Sequence, residues 1–194
     1  MIQISNREFL RYSHSQSTIS EERFLRFLKE LKLYLKNIQN IENEEAGKIG
    51  LRRLLISLGF HNYKIEPFKE VDLVIFEENR EKEVFIETKL PNSPEMILDN
   101  NFQKKSFAQI CYYFEKYGTS ALKHLIITDY KTLYLFKSYD ILQITQQFPK
   151  HHKKAKTSEI YETILENVDF SKIKYTKIDF LELEISTILY LYHI

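Results

Sequence analysis

Residues 71–90, VDLVIFEENREKEVFIETKL, constrain this chain more than any other stretch. The runs 71–76 and 84–90 are dense in Val, Ile, Leu and Phe, the composition of buried strands, and residues 77–83 between them carry no apolar side chain. The pattern predicts a hairpin with a solvated connection. Asp72, Glu87 and Lys89 interrupt the apolar runs. Strand alternation puts Glu87 and Lys89 on one face with Phe85, and Val84, Ile86, Thr88 and Leu90 on the other. If Asp72 lies opposite Glu87 or Lys89, the three groups converge, with opposed Cβ atoms about 5 Å apart. A slip of one residue would turn Asp72 to the wrong face.

Two carboxylates brought together out of water need a compensating cation. Mg²⁺ takes oxygen ligands at about 2.1 Å, keeps several waters, and commonly uses one or two carboxylates plus a substrate phosphate. A neighbouring lysine then orients or deprotonates an attacking water, or neutralises charge growing on phosphorus. Asp72 with Glu87-Thr88-Lys89 therefore has the chemistry of phosphodiester hydrolysis. The competing reading is chance: Glu-x-Lys is common in a chain that is 28% charged, and Glu30-Leu31-Lys32 repeats it in a helical context. The strand setting, and an Asp at a compatible register, separate the two.

With 194 residues, 14 Phe, 13 Tyr and 43% hydrophobic content, the chain reads as one globular domain, and four Gly and four Pro leave room for long regular elements. A net charge of +1 excludes attraction of nucleic acid by the whole molecule, so DNA contact would need local patches or further protein. The single cysteine, Cys111, excludes an internal disulfide and fits a reducing, cytoplasmic setting. The first nine residues lack an apolar signal core, and no apolar run approaches the roughly 20 residues of a membrane span. The expected division is a lead-in at 1–17, a core at 18–148 and a C-terminal extension at 149–194.

Thr18-Ile19-Ser20-Glu21 has capping-box spacing and opens a helix with Phe24, Phe27, Leu28, Leu31, Leu35 and Ile38 on one face. Its other face carries Arg23, Arg26, Lys29, Lys32 and Lys36, for solvent or for phosphate. Glu42-Asn43-Glu44-Glu45 opens a second helix, with Leu51, Leu54, Leu55 and Leu58 inward and Gly59 at its end. Lys48 and Glu44 continue the Leu51 and Leu55 stripe, while Glu45 is rotated by about 100°. Glu44 is either a dipole partner or a third metal ligand; Glu45 reads as a dipole partner. Residues 60–70 read as a connector, with a short edge strand at 63–65 before Pro67. Pro91 and Pro94 end the hairpin.

Residues 100–117 predict a third helix, buried through Phe107, Ile110, Cys111 and Phe114. Lys105, Gln109 and Tyr113, spaced by four, form a polar edge or hydrogen-bond phosphate and the attacking water. Strands follow at 122–128 and 132–137, joined by Asp129-Tyr130-Lys131, whose Asp-x-Lys falls in a turn and is set aside. His124 reads as a core histidine. Residues 141–148 read as helical or mixed, 158–167 as helix and 175–184 as partly extended. The basic run 150–156 is solvated or a DNA-backbone contact, and His151-His152 is weak evidence for zinc. The apolar ending, 185–194, suggests a chain continuing in a parent protein.

A helix, a hairpin bearing Asp and Glu-x-Lys, then a helix with Gln-x-x-x-Tyr is the order of the PD-(D/E)XK nuclease superfamily, which this chain resembles. It is closer still to the N-terminal nuclease domain of type IIG restriction-modification enzymes. Glu42-Asn43-Glu44-Glu45, Asp72-Leu73-Val74-Ile75, Glu95-Met96-Ile97, Gln109 with Tyr112-Tyr113, Lys123-His124-Leu125-Ile126-Ile127-Thr128 and Asp179-Phe180-Leu181 carry the likeness across 24–192. The resemblance implies an α/β restriction-endonuclease-like fold, with a mixed sheet of four or five strands flanked by helices. It implies Mg²⁺-dependent cleavage of double-stranded DNA, with Mn²⁺ able to substitute. Asp72, Glu87, the Thr88 carbonyl and Glu44 would hold the metal, Lys89 would act on water or the transition state, and Gln109 and Tyr113 would assist. Methyltransferase and target-recognition domains would follow in the parent chain. Three features depart from the pattern. Glu70-Val71 replaces the eponymous Pro, Leu90 stands where related domains often carry Arg, and neither an Asn-Pro-Pro-Tyr-like motif nor a glycine-rich loop is present. The alternatives are a non-cutting nuclease-like module that binds DNA or protein, and a stand-alone repair or mobile-element nuclease.

Overall fold

The charged hairpin forms the heart of a single sheet in the computed structural model, which describes residues 2–3, 21–59, 64–77, 79–146, 148 and 156–182. The elements run β1 (Ile2–Gln3), α1 (Glu21–Ile38), α2 (Glu44–Ser57), β2 (Lys64–Phe68), β3 (Val71–Phe76), β4 (Lys82–Thr88), α3 (Lys105–Tyr117), β5 (His124–Thr128), β6 (Thr132–Lys137), α4 (Ser138–Thr145), α5 (Thr157–Asn167), a 3₁₀ turn (Phe170–Lys172) and β7 (Lys174–Asp179). The strand order is β1-β7-β6-β5-β4-β3-β2. The fold is α/β and the sheet is mixed. Strands β4 and β5 pair in parallel across the α3 crossover, while β2–β3, β3–β4, β5–β6 and β6–β7 are antiparallel. The sheet exceeds the expected four or five strands because β2 and β7 are full members and the two-residue β1 extends the far edge. Residues 175–184 had only the look of a partly extended segment, yet β7 lies against β6 with Leu133 opposite Ile178.

Helices cover both faces, because alternate strand residues are apolar in both directions. Val74, Phe76 and Phe85 join a core with α3, α4 and α5, while Leu73, Ile75, Val84 and Ile86 join a second core with α1 and α2. On α1, Phe27, Leu31, Tyr34 and Ile38 are buried, with Phe24, Leu28 and Leu35 packed beside them. Tyr34, absent from the expected stripe, can enter because its hydroxyl donates to the Tyr130 carbonyl at 2.8 Å. Asn43 caps α2 by accepting from the Ala46 amide at 2.8 Å, and Gly59, at φ 118°, follows its C-terminus.

Four boundaries differ from expectation for identifiable reasons. Strand β2 runs through Pro67, which the sheet edge tolerates, and its register shifts between Glu66 and Phe68. The hairpin connection is shorter than 77–83: Lys82 and Glu83 enter β4 because Lys82 donates to the Tyr117 carbonyl at 3.0 Å and Glu83 pairs with Lys123. Helix α3 begins at Lys105 rather than at residue 100, since Asp99 and Asn100 both have positive φ. The strand expected at 84–90 ends at Thr88, although the Lys89 amide still donates to the Thr128 carbonyl at 2.9 Å. The lead-in at 4–17, the cap residues 18–20, residue 63 of the expected edge strand, the basic run 150–155 and the apolar ending 185–194 lie outside the described residues. Among the described residues, no helix is long and apolar enough to cross a membrane.

Tyr130 locks α2 to the sheet. It is fully buried in the β5–β6 turn at φ 71°, a left-handed conformation costing about 1 kcal/mol for a residue with a Cβ. Its amide donates to Thr128 Oγ1 at 2.9 Å and its hydroxyl to the Glu44 carbonyl at 2.8 Å. Its ring lies flush on Gly47, where a Cβ would fall within 2.7 Å of three ring carbons, whereas a Cβ on Gly50 would stand 3.6 Å from Tyr34. Gly47→Ala is therefore expected to destabilise the fold by about 1–3 kcal/mol through overpacking. Gly50→Ala should be neutral or stabilising by up to about 1 kcal/mol. Urea unfolding of both variants checks the pair, and equal effects would contradict the Tyr130 wedge.

Candidate active site

The hairpin register determines where the charged residues meet. Leu73 opposes Ile86 and Val74 opposes Phe85, and the ladder ends there, so Asp72 and Glu87 stand just beyond the last paired residues and not as a cross-strand pair on one face as expected. Asp72 lies at the start of β3, Glu87 and Thr88 close β4, and Lys89 follows. The site thus sits beyond the carboxyl ends of the parallel pair β4–β5, a common position for ligands in open α/β sheets.

The two carboxylates are held differently. Asp72 Oδ2 accepts from the Thr88 amide at 2.8 Å and from Thr88 Oγ1 at 2.9 Å, and its Oδ1 contacts Lys48 Nζ at 2.8 Å. Its hydrogen bonds therefore run to the α2 side of the sheet. Glu87 shares the Phe85 face and is only 2% exposed. Its Oε1 accepts from Lys89 Nζ at 2.5 Å, while Oε2 is buried with no hydrogen-bond partner. Burial pushes the Glu87 carboxyl up to about 8; Lys89 pulls against this, and the charges of Asp72 and Glu44 add to the rise. Burial alone would lower Lys89, but Glu87, Asp72 and Glu95 more than reverse it and leave the ammonium raised. Lys48 behaves likewise: burial lowers it, and Asp72, Glu44 and Glu45 carry it above its ordinary value.

The other expected residues fall around this pair. Glu44 is half-buried at the first turn of α2, whereas Glu45 is exposed. Glu44 acts on Glu87 through its charge, and its carbonyl accepts from Tyr130. Among the described residues, no three of His, Cys, Asp or Glu stand close enough to form a ready-made metal cage. Gln109 Nε2 donates to the Tyr113 hydroxyl at 3.4 Å, and Gln109 Oε1 is buried without a partner. Tyr113, expected on a polar edge, is buried instead; burial chiefly, then the Glu87 charge, raises its hydroxyl. Lys105 contacts Glu95 at 2.6 Å at the surface. His124 is half-buried on β5, and burial, with Lys137 and Lys123, pushes it down to about 4.

Four residues that the sequence does not mark as site residues also contribute. Lys48 continues the inward stripe of α2, and that position was its only signal. Glu95, the one acid between Pro91 and Leu98, stands 3.8 Å from Lys89 and extends an acid–base chain from Glu87 to Lys105. The Tyr130 hydroxyl lies beside the Thr88 side chain that clamps Asp72. Tyr161, on α5, hydrogen-bonds with Tyr113. Neither tyrosine carries a local sequence signal.

These residues suit a small hard cation. Glu87 Oε2 is a buried carboxylate oxygen without a donor, Asp72 is charged and partly open at 19% exposure, and both are oxygen ligands of the type Mg²⁺ prefers. A family model described as a domain of unknown function, DUF7149, matches residues 4–189. No curated protein and no solved structure matches the chain.

The raised Glu87 pKa sets a pH dependence. The folded state holds this proton more tightly than the unfolded chain does. Its stabilising contribution is therefore complete below about pH 4.5 and is lost as pH rises through about 8. Glu87→Gln should flatten the loss of stability across that window by on the order of 5 kcal/mol in urea unfolding. Parallel pH profiles for the two proteins would mean that Glu87 titrates normally.

Proposed function

We propose, for a chain that belongs to the DUF7149 family of unknown function, Mg²⁺-dependent endonucleolytic cleavage of double-stranded DNA, as the nuclease domain of a type IIG restriction-modification parent. The observation that carries this reading is Glu87 Oε2, a buried carboxylate oxygen lacking any donor, beside a lysine and with a second carboxylate, Asp72, at the start of the neighbouring strand. Asp72 and Glu87 are the metal ligands of the proposal, with the Thr88 carbonyl added, and Glu44 extends the negative field. When bound, the ion supplies positive charge at the scissile phosphate and makes a water acidic enough to attack at neutral pH.

The protein's own groups supply the rest. Thr88 holds Asp72 in one orientation through two donors, so the carboxylate need not be ordered when the ion arrives. Lys89 stays protonated beside Glu87 and presents its ammonium toward charge developing on the phosphoryl oxygens. Gln109 and Tyr113 provide amide and hydroxyl donors on the α3 side of Glu87. The burial of this cluster strengthens each of these interactions by excluding water. The restriction-modification assignment draws on the sequence motifs that run from Glu42 to Leu181.

Plasmid cleavage tests the proposal. Activity is expected with Mg²⁺ or Mn²⁺ and not with EDTA. Asp72→Ala and Lys89→Ala should each lower the rate by about 100-fold or more while leaving the circular dichroism spectrum intact. Full activity in either variant, or EDTA-insensitive cutting, would remove these residues from the mechanism. A folded protein with neither cleavage nor metal affinity would point to a non-cutting binding module.

A further inference from the structure

The two carboxylates of the site do not offer themselves equally to an incoming cation. Glu87 has a free oxygen. Asp72 has none without a contact: Oδ2 accepts twice from Thr88, and Oδ1 is in contact with the Lys48 ammonium at 2.8 Å. A divalent ion can approach Glu87 directly, but at Asp72 it meets a positive charge already in place.

We propose that Lys48 is the resident counter-ion of Asp72, which a divalent cation must displace, so that this lysine sets the metal affinity of the site. The inference rests on the metal-dependent reading above. The exposure of the pair makes displacement feasible. The Lys48 and Asp72 side chains are 18% and 19% exposed, against 10% and 2% for Lys89 and Glu87. A partly solvated ion pair is worth little, and its lysine can return to water. Lys89 lacks that freedom, so the two lysines have separate roles. Lys89 remains with Glu87, and Lys48 leaves Asp72.

The place of Lys48 on α2 fits this role. It lies one turn from Glu44, and Glu44 and Glu45 both act on it through their charge. The released ammonium therefore keeps acidic neighbours at the rim of the site, where it can also meet a phosphate. Helix α2 does not depend on the ion pair for its seat. Leu51, Leu54 and Leu55 are buried, and Tyr130 packs against Gly47.

Mn²⁺ binding, read by the electron paramagnetic resonance of the free ion, tests the proposal without recourse to cleavage. Lys48→Met is expected to bind Mn²⁺ about tenfold more tightly than the wild type, the scale of removing one competing, partly exposed ion pair. Lys48→Gln should gain similarly and serves if the Met variant misfolds. Lys48→Arg, which keeps the charge, should stay within about twofold of the wild type. Adding Asp72→Asn to Lys48→Met should abolish the gain, because the competition is for that carboxylate. Binding by the wild type with no gain in Lys48→Met and Lys48→Gln overturns this inference and leaves the metal reading standing. Binding only after Lys48 is neutralised supports it. Binding by neither overturns both.

Discussion

The pairing of β3 with β4 is the constraint on which the site depends. Both faces of this hairpin are buried, Leu73 and Ile86 against α1 and α2, Val74 and Phe85 against α3 and its neighbours. A slip of one residue would exchange the two apolar sets between differently shaped cores, so the register is held from both sides. Asp72 and Glu87 lie one step beyond the last apolar pair. Their juxtaposition is thus maintained by hydrophobic packing, and it survives the mutual repulsion of two acids that packing alone would not relieve.

That repulsion is met by distributing cations instead of diluting the charge in water. Lys48 faces Asp72, Lys89 faces Glu87, and Glu95 links Lys89 to Lys105. Burial still leaves Glu87 incompletely satisfied, with one bare oxygen and a raised pKa. A buried, half-satisfied carboxylate is costly for stability, and clusters of this kind belong to binding and catalytic sites more often than to plain cores.

The turn after β5 provides the second support. Tyr130 is bonded at its amide, carbonyl and hydroxyl, and so joins α1, α2 and the end of β5 in one assembly. Asp129, set aside as a site residue, serves the same turn by accepting from the Lys131 and Thr132 amides. The acid-x-Lys spacing at 129–131 is a turn device, and the one at 87–89 is not. The difference lies in their surroundings, because residues 84–86 form a buried ladder while residue 130 has left-handed backbone.

Much of the architecture was legible in local pattern. The apolar run 71–76, the period of α1 and α2, and the Gly59 stop each act within a few residues, where steric and solvation preferences are strong enough to be read directly. Strand β7 and the late start of α3 were less legible. The first owes its extended form to pairing with β6, and the second to two adjacent left-handed residues that composition does not announce.

By itself the sequence determined that Asp72 and Glu87 lie on strands too apolar to be surface, with Lys89 directly after the second, and that a hairpin could bring them near one another. Only the tertiary structure decided that Thr88 and Lys48 hold Asp72, that Glu87 keeps an open oxygen, and that Tyr113 turns inward toward it. The reason is range. Alternation and helical period follow from backbone geometry over a few residues, but the partner of a side chain depends on which distant elements the packing of two cores brings alongside.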